Sequence, residues 1–134
     1  MSLHVELVSP ERTLYSGDAD TVVARTVGGG DIAFMTGHAP FLGALQVAGL
    51  QVHETGGDVK HVAVHGGFIE VSSNKVTILS DTAEVAEDID VERARQAHER
   101  AVKAAEQTDD TIAEARLRRA HVRLVVAGHE PGIA

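Results

Sequence analysis

From Leu3 to Leu79 the apolar residues fall in short β-branched runs: Val5-Glu6-Leu7-Val8, Thr21 to Val27, Gln46 to Val52, Val59 to Val64 and Lys75 to Leu79. Alternation, the period of a strand with one buried face, is visible in His61-Val62-Ala63-Val64 and in Phe68-Ile69-Glu70-Val71. Gly56-Gly57, Gly66-Gly67 and Ser72-Ser73-Asn74 punctuate these runs as turns. Roughly eight to ten short strands in so short a stretch predict a β-sandwich or flattened barrel rather than a βαβ fold.

At Asp81 the pattern changes. A polar connector runs to Asp88, and from Asp90 the apolar spacing becomes helical. Ala94, Ala97, Ala101 and Ala104 lie on one stripe; Ala113, Leu117, Ala120, Leu124 and Ala127 lie on a second. Thr111 with Glu114 reads as a capping box, and Gly128 followed by Pro131 reads as a stop. Two helices so closely spaced predict an antiparallel hairpin. The chain thus divides into a β domain over 1–85 and a helical hairpin over 86–134, whose last residues, from His129 onward, read as a frayed end. Nearly every seam position is alanine, which buries a fraction of the ~1.5–3 kcal/mol of a buried leucine. The hairpin should therefore be marginal and dependent on its neighbours. It is either a peripheral appendage or a switch element, and spacing alone favours the appendage.

Composition narrows the partners. The chain has 134 residues, 43% of them apolar but only 3% aromatic, so the core must be aliphatic. No run approaches the ~18 apolar residues of a membrane span, no signal-peptide pattern opens the chain, and cysteine is absent. These features point to a soluble, cytoplasmic protein without direct membrane insertion. A net charge of −8 argues against nucleic acid as a partner. The charge is uneven: residues 1–86 hold four Lys/Arg against ten Asp/Glu, whereas residues 111–128 carry Arg116, Arg118, Arg119 and Arg123 against Glu114 alone.

The marks of an enzyme are missing. The Gly28–Gly30 cluster lacks the Gly-Lys-Ser/Thr of a phosphate loop, and no Gly-x-Ser-x-Gly elbow occurs. His98-Glu99 starts a zinc-protease pattern that fails at Val102. His61 and His65 would share a strand face about 13 Å apart, too far for one metal. No catalytic or metal-binding residue is expected, and no cofactor is required. The last helix offers more. Arg116, Arg119 and Arg123 form one stripe, and in an antiparallel hairpin Asp90 and Arg93 lie beside its C-terminal half. Guanidinium forks suit phosphate oxygens, and a carboxylate suits an amine or a ribose hydroxyl. By spacing alone the stripe fits a solvated face, or an acidic protein partner, better than a ligand site.

Three segments carry a family resemblance across nearly the whole chain. Gly28-Gly29-Gly30-Asp31-Ile32-Ala33 leads into Gly37-His38-Ala39-Pro40; Gly66-Gly67-Phe68-Ile69-Glu70-Val71 is followed by Val76 to Ala83; and Ile89-Asp90-Val91-Glu92-Arg93-Ala94 heads the alanine-rich tail. In this order they resemble the epsilon subunit of bacterial F-type ATP synthases. The resemblance implies a β-sandwich of about ten strands followed by a two-helix hairpin, and a non-catalytic place in the central stalk. There the family packs on the gamma subunit and the c-ring at the cytoplasmic face of the cell membrane, coupling rotation to proton flow. Its hairpin either folds on the sandwich or extends along gamma toward the catalytic beta subunits, where it restrains ATP hydrolysis. That raises the switch reading above the appendage. Carried over, Asp31 and His38 become candidates for the gamma and c-ring interface, with Ala33 standing where the family has glycine. Some members bind ATP in the folded hairpin through an Ile/Leu-Asp-x-x-Arg-Ala motif, an upstream glutamate and two arginines four apart. Ile89, Asp90, Arg93 and Ala94, Glu84, and Arg119 with Arg123 occupy those places, so ATP is implied as a regulatory ligand. The alternative is a free β-sandwich binding module whose helical tail dimerises.

Overall fold

The computed structural model describes residues 2–107 and 111–128. Seven strands occur among them: β1 (Leu3–Val8), β2 (Thr13–Thr26), β3 (Gly30–Met35), β4 (Phe41–Glu54), β5 (Val59–Ser72), β6 (Lys75–Leu79) and β7 (Ala83–Val85). A 3-10 turn (Ala86–Asp88) leads to α1 (Val91–Gln107) and α2 (Thr111–Val126). The strands run β1-β6-β5-β4-β2-β3, and β1 pairs with β2 as well, so the sheet closes on itself as a flattened barrel. β3 hangs on the edge of β2, and β7 on β5. Closure removes the free edges that an open sheet would expose.

The expected ten or so short strands are seven, three of them 14 residues long. A long strand serves two neighbourhoods: β2 pairs with β1 through Thr13 to Ala19 and with β3 through Thr21 to Thr26. Gly66-Gly67 bends a strand instead of ending it. Both have positive φ, and the β4–β5 register passes from Leu45↔Gly67 to Val47↔His65 around them. At Gly67 a β-carbon would lie 2.1 Å from the carbonyl oxygen of Leu79, so no other residue fits beneath β6. Ser73 and Asn74, both left-handed, do form the expected turn between β5 and β6.

Inside the barrel lies an almost wholly aliphatic core of Leu3, Val5, Leu7, Val22, Leu50, Val52, Val62, Val64, Ile69, Val71, Val76 and Ile78, with Phe34 its one fully buried ring. A second, smaller core lies outside it. Ala63, on the outer face of β5, packs with Ile89, Ala94, Val122, Leu124 and Val126. This is why the alternation at His61 to Val64 is not a burial pattern: Ala63 is as buried as Val62 and Val64, because the hairpin covers the outer face.

The hairpin seam is alanine-rich, as the spacing predicts. α1 buries only Ala94 and Ala101. α2 buries Ala113, Ala120 and Leu124, but Val122 and Val126 add a second apolar stripe turned toward the sheet. α2 rests on β4 and β5, and bare Gly49 lets it approach: a β-carbon there would meet Val126 Cγ2 at 3.2 Å. Two cap expectations fare differently. α2 already includes Thr111, so its cap position falls on residue 110, outside the described residues. Gly128 does end the helix, with φ of 77° and its N–H donating to Val125 O at 3.0 Å. Pro131 and the rest of the tail from His129 lie outside the described residues.

Candidate functional site

β7 is three residues long, and its backbone pairs Glu84 with Ala63 of β5. This holds the Glu84 carboxylate at the rim of the sheet face that α2 covers. Arg123, on the last full turn of α2, donates from Nε to Glu84 Oε1 at 2.5 Å. Both side chains are close to one-third exposed, so the pair is a part-buried clasp between helix and β domain. Beneath it sits His65, whose ring is 1% exposed and whose Nε2 stands 3.5 Å from the same Glu84 oxygen. Among the described residues this long contact is the one polar partner of the ring, and Nδ1 has none. Burial lowers the ring's affinity for a proton, the Arg123 charge lowers it further, and Glu84 opposes them; Arg119 adds to the depression. Arg119 therefore stands close enough to act on this cluster, although its own side chain is exposed.

Three groups thus converge, Glu84, Arg123 and His65, with the exposed Arg119 acting on them through its charge alone. The start of α1 contributes differently. Asp90 caps the helix, its Oδ1 accepting the N–H of Arg93 at 3.1 Å, so one carboxylate oxygen read from the sequence as a ligand group is already engaged. The Arg93 side chain is exposed and has no recorded ion pair with Glu84 or Asp90 among the described residues. Ile89 and Ala94, the apolar members of the motif, are buried in the outer core, where they seat the start of α1 against Ala63 and α2. They position the helix; their side chains do not face solvent.

His65 is the member that reading the sequence missed as a functional group, having been weighed only as a metal ligand with His61. The signal was present. If Val62 and Val64 face the core, residues 61, 63 and 65 face the hairpin. His61 lines a cleft of about 570 Å³ between the sheet and α2, with Arg118 and His121 on the helix side. No metal-binding group of three or more His, Cys, Asp or Glu occurs among the described residues.

The two expected interface residues occupy opposite ends of β3. Asp31 pairs with Arg25 across the β2–β3 ladder at 2.9 Å, which holds its carboxyl below the usual range. It lines the same cleft as Arg118, on the hairpin side of the barrel. His38 follows Gly37, whose N–H donates to Asn74 Oδ1 at 2.8 Å. Its Nδ1 meets Ala39 O at 2.7 Å, and its ring stands edge-on to Phe34 with centroids 4.9 Å apart. The Gly-His-Ala-Pro corner is therefore a fastened turn with a half-buried imidazole, remote from Asp31.

A closed β barrel with a helical hairpin clasped to its outer face defines a two-part architecture. The model of the ATP synthase delta/epsilon chain beta-sandwich domain matches residues 2–86, and that of the delta/epsilon long alpha-helix domain matches residues 87–128. The ATP synthase epsilon chain of Streptomyces avermitilis is 43% identical over 121 residues, covering 90% of this chain and 97% of its own. That of Halalkalibacterium halodurans is 45% identical over 132 residues, covering 95% and 98%. A chain of the Euglena gracilis mitochondrial ATP synthase, solved as OSCP/F1/c-ring, shares the fold with a TM-score of 0.69 at 24% identity, over 96% of this chain and 78% of that one. The chain belongs to the delta/epsilon chain family of ATP synthases, on its epsilon side, as an accessory rather than a catalytic subunit.

Proposed function

We propose that this chain is a central-stalk subunit of a bacterial, proton-translocating F-type ATP synthase, peripheral at the cytoplasmic face of the membrane. It sits with the gamma subunit and the c-ring and couples rotation to ion flow. His38, on its fastened corner, and Asp31 are its contact residues there. Its hairpin is a switch: docked, as described above, it leaves hydrolysis free; extended along gamma toward the catalytic beta subunits, it restrains hydrolysis.

The observation that carries this reading is the Glu84–Arg123 clasp over an alanine seam. A helix pair that buries little within its own seam and is fastened by part-buried charges can leave the sheet at modest cost. ATP is the regulatory ligand of the docked form. Arg119 and Arg123 supply cations for its phosphates, Arg93 joins them from α1, and Asp90 and Glu84 offer acceptors to the nucleoside. Ile89 and Ala94 keep α1 in place beneath it. Extension of the hairpin dismantles this set, so ATP favours docking by the difference in its affinity for the two forms.

Calorimetric titration of the purified chain with ATP, with and without magnesium, tests the ligand. Saturable binding is expected, weakened about tenfold or more in Arg123→Ala while the β domain keeps its melting temperature. Equal affinity in the variant sinks the site, and no heat at millimolar ATP removes nucleotide from the mechanism.

A further inference from the structure

A buried imidazole ordinarily spends at least one nitrogen on a hydrogen bond. The His65 side chain is 1% exposed and has one long contact to spend, Nε2 to Glu84 Oε1 at 3.5 Å. Its backbone N–H is satisfied by Thr82 O at 3.1 Å, so the strand is in order and the under-satisfied group is the ring. The charged groups acting on that ring come from two elements: Glu84 from β7, and Arg123 and Arg119 from α2. Glu84 Oε1 is shared between the ring and Arg123 Nε, which donates to it at the shorter distance. A neutral ring tolerates this position. A protonated ring would be cut off from water while facing two guanidiniums against one carboxylate. When α2 lifts from the sheet, both arginines leave and water reaches the ring.

We propose that His65 makes the docking of the hairpin proton-linked, so that the hairpin is held at neutral and alkaline pH and released on acidification. This rests on the reading of the hairpin as movable. In the docked form, burial first and Arg123 second push the imidazole below its ordinary value, with Glu84 opposing. In the lifted form the ring titrates near ~6.5. The lifted form therefore takes up the proton first. The contribution to docking is fully present above ~6.5 and declines as pH falls below it, until the docked ring is itself protonated. One proton is linked, so the docking constant changes by at most about tenfold per pH unit. In the assembled enzyme, a falling pH would send the hairpin toward its restraining position without any change in nucleotide.

The other histidines need separating from His65. His121 faces His98 across the α1–α2 seam, with ring centroids 6.3 Å apart, and with His61 it lines the cleft on the other side of α2. The chain has no cysteine, so dyes placed at Ser72→Cys and Arg116→Cys report the distance from β domain to α2 in the full chain. The expected result is a lifted fraction that grows as the pH falls below ~6.5, by no more than tenfold per pH unit. His65→Gln should flatten that slope and His121→Gln should keep it. A lifted fraction that is present but independent of pH, or a wild-type slope in His65→Gln, overturns the proton link and leaves the movable hairpin standing. No lifted fraction at any pH overturns both. Should His65→Gln fail to fold, the wild-type ring decides. In an NMR titration at ATP concentrations or temperatures where the helix stays docked, an ordinary imidazole titration at His65 rules the proposal out.

Discussion

Truncating Arg123 to alanine removes the guanidinium whose Nε donates to Glu84, and with it the clasp that joins α2 to β7. A charge-assisted hydrogen bond contributes about 1.5–3 kcal/mol when well shielded. Here the two side chains are 28% and 31% exposed, and screening by water brings the expected loss down to about 1 kcal/mol. Docking should survive, because Val122, Leu124 and Val126 still bury their side chains against Ala63. The docking equilibrium should nevertheless weaken about fivefold, the factor that 1 kcal/mol sets at room temperature. Hydrogen exchange resolves this, since lifting exposes the amides of α2 without opening the barrel. Protection should fall about fivefold across α2 and remain unchanged in β4 and β5.

The companion change Glu84→Gln completes a double-mutant cycle, and the coupling between the two sites should be close to 1 kcal/mol. Glu84→Gln alone also takes the Glu84 charge away from His65, so part of its cost arises from the ring and not from Arg123. Arg118→Ala serves as the control: its side chain is exposed on the cleft side of α2, and no change in protection is expected. Unchanged α2 protection in Arg123→Ala, or equal losses in α2 and the barrel strands, would refute the clasp as the fastening of a separable hairpin.

Two further substitutions separate barrel from hairpin. Gly67→Ala places a β-carbon 2.1 Å from Leu79 O at a φ of 120°, so the β5–β6 pairing must shift; a loss of more than about 3 kcal/mol in barrel stability is expected by thermal or urea unfolding, and a loss below 1 kcal/mol would show that β6 can yield. Gly49→Leu inserts a side chain where even a β-carbon comes within 3.2 Å of Val126; it should lift the end of α2, raising its exchange while the barrel melts as before, and an unaltered α2 would mean that Val126 rotates away to make room.

Much of this molecule was legible in its sequence because two periodicities settle two architectures. β-branched runs with glycine turns can only form a sheet that buries one face, and alanines at steps of three and four can only form a thin helical seam. The same positions carry the family motifs, so the helix start at Asp90 and the stop at Gly128 could be anticipated. The sequence offers Glu84 and Arg123 as ligand groups, and not as the ion pair they form with each other. Strand number could not. Gly66-Gly67 looks like a turn because glycine permits one, and whether the chain turns or bends depends on whether β4 continues beside it. Nor could the sequence say that Asp90 spends an oxygen on its own helix, or that Asp31 lies on the hairpin side of the barrel, opposite along β3 to His38. His65 is the clearest case. Alternation assigns it to the outer face, where an imidazole would ordinarily be wet. Only the docking of α2, with Arg123 clasped to Glu84, turns that exposed position into a buried one, because burial is a property of what lies across the interface and not of the residue itself.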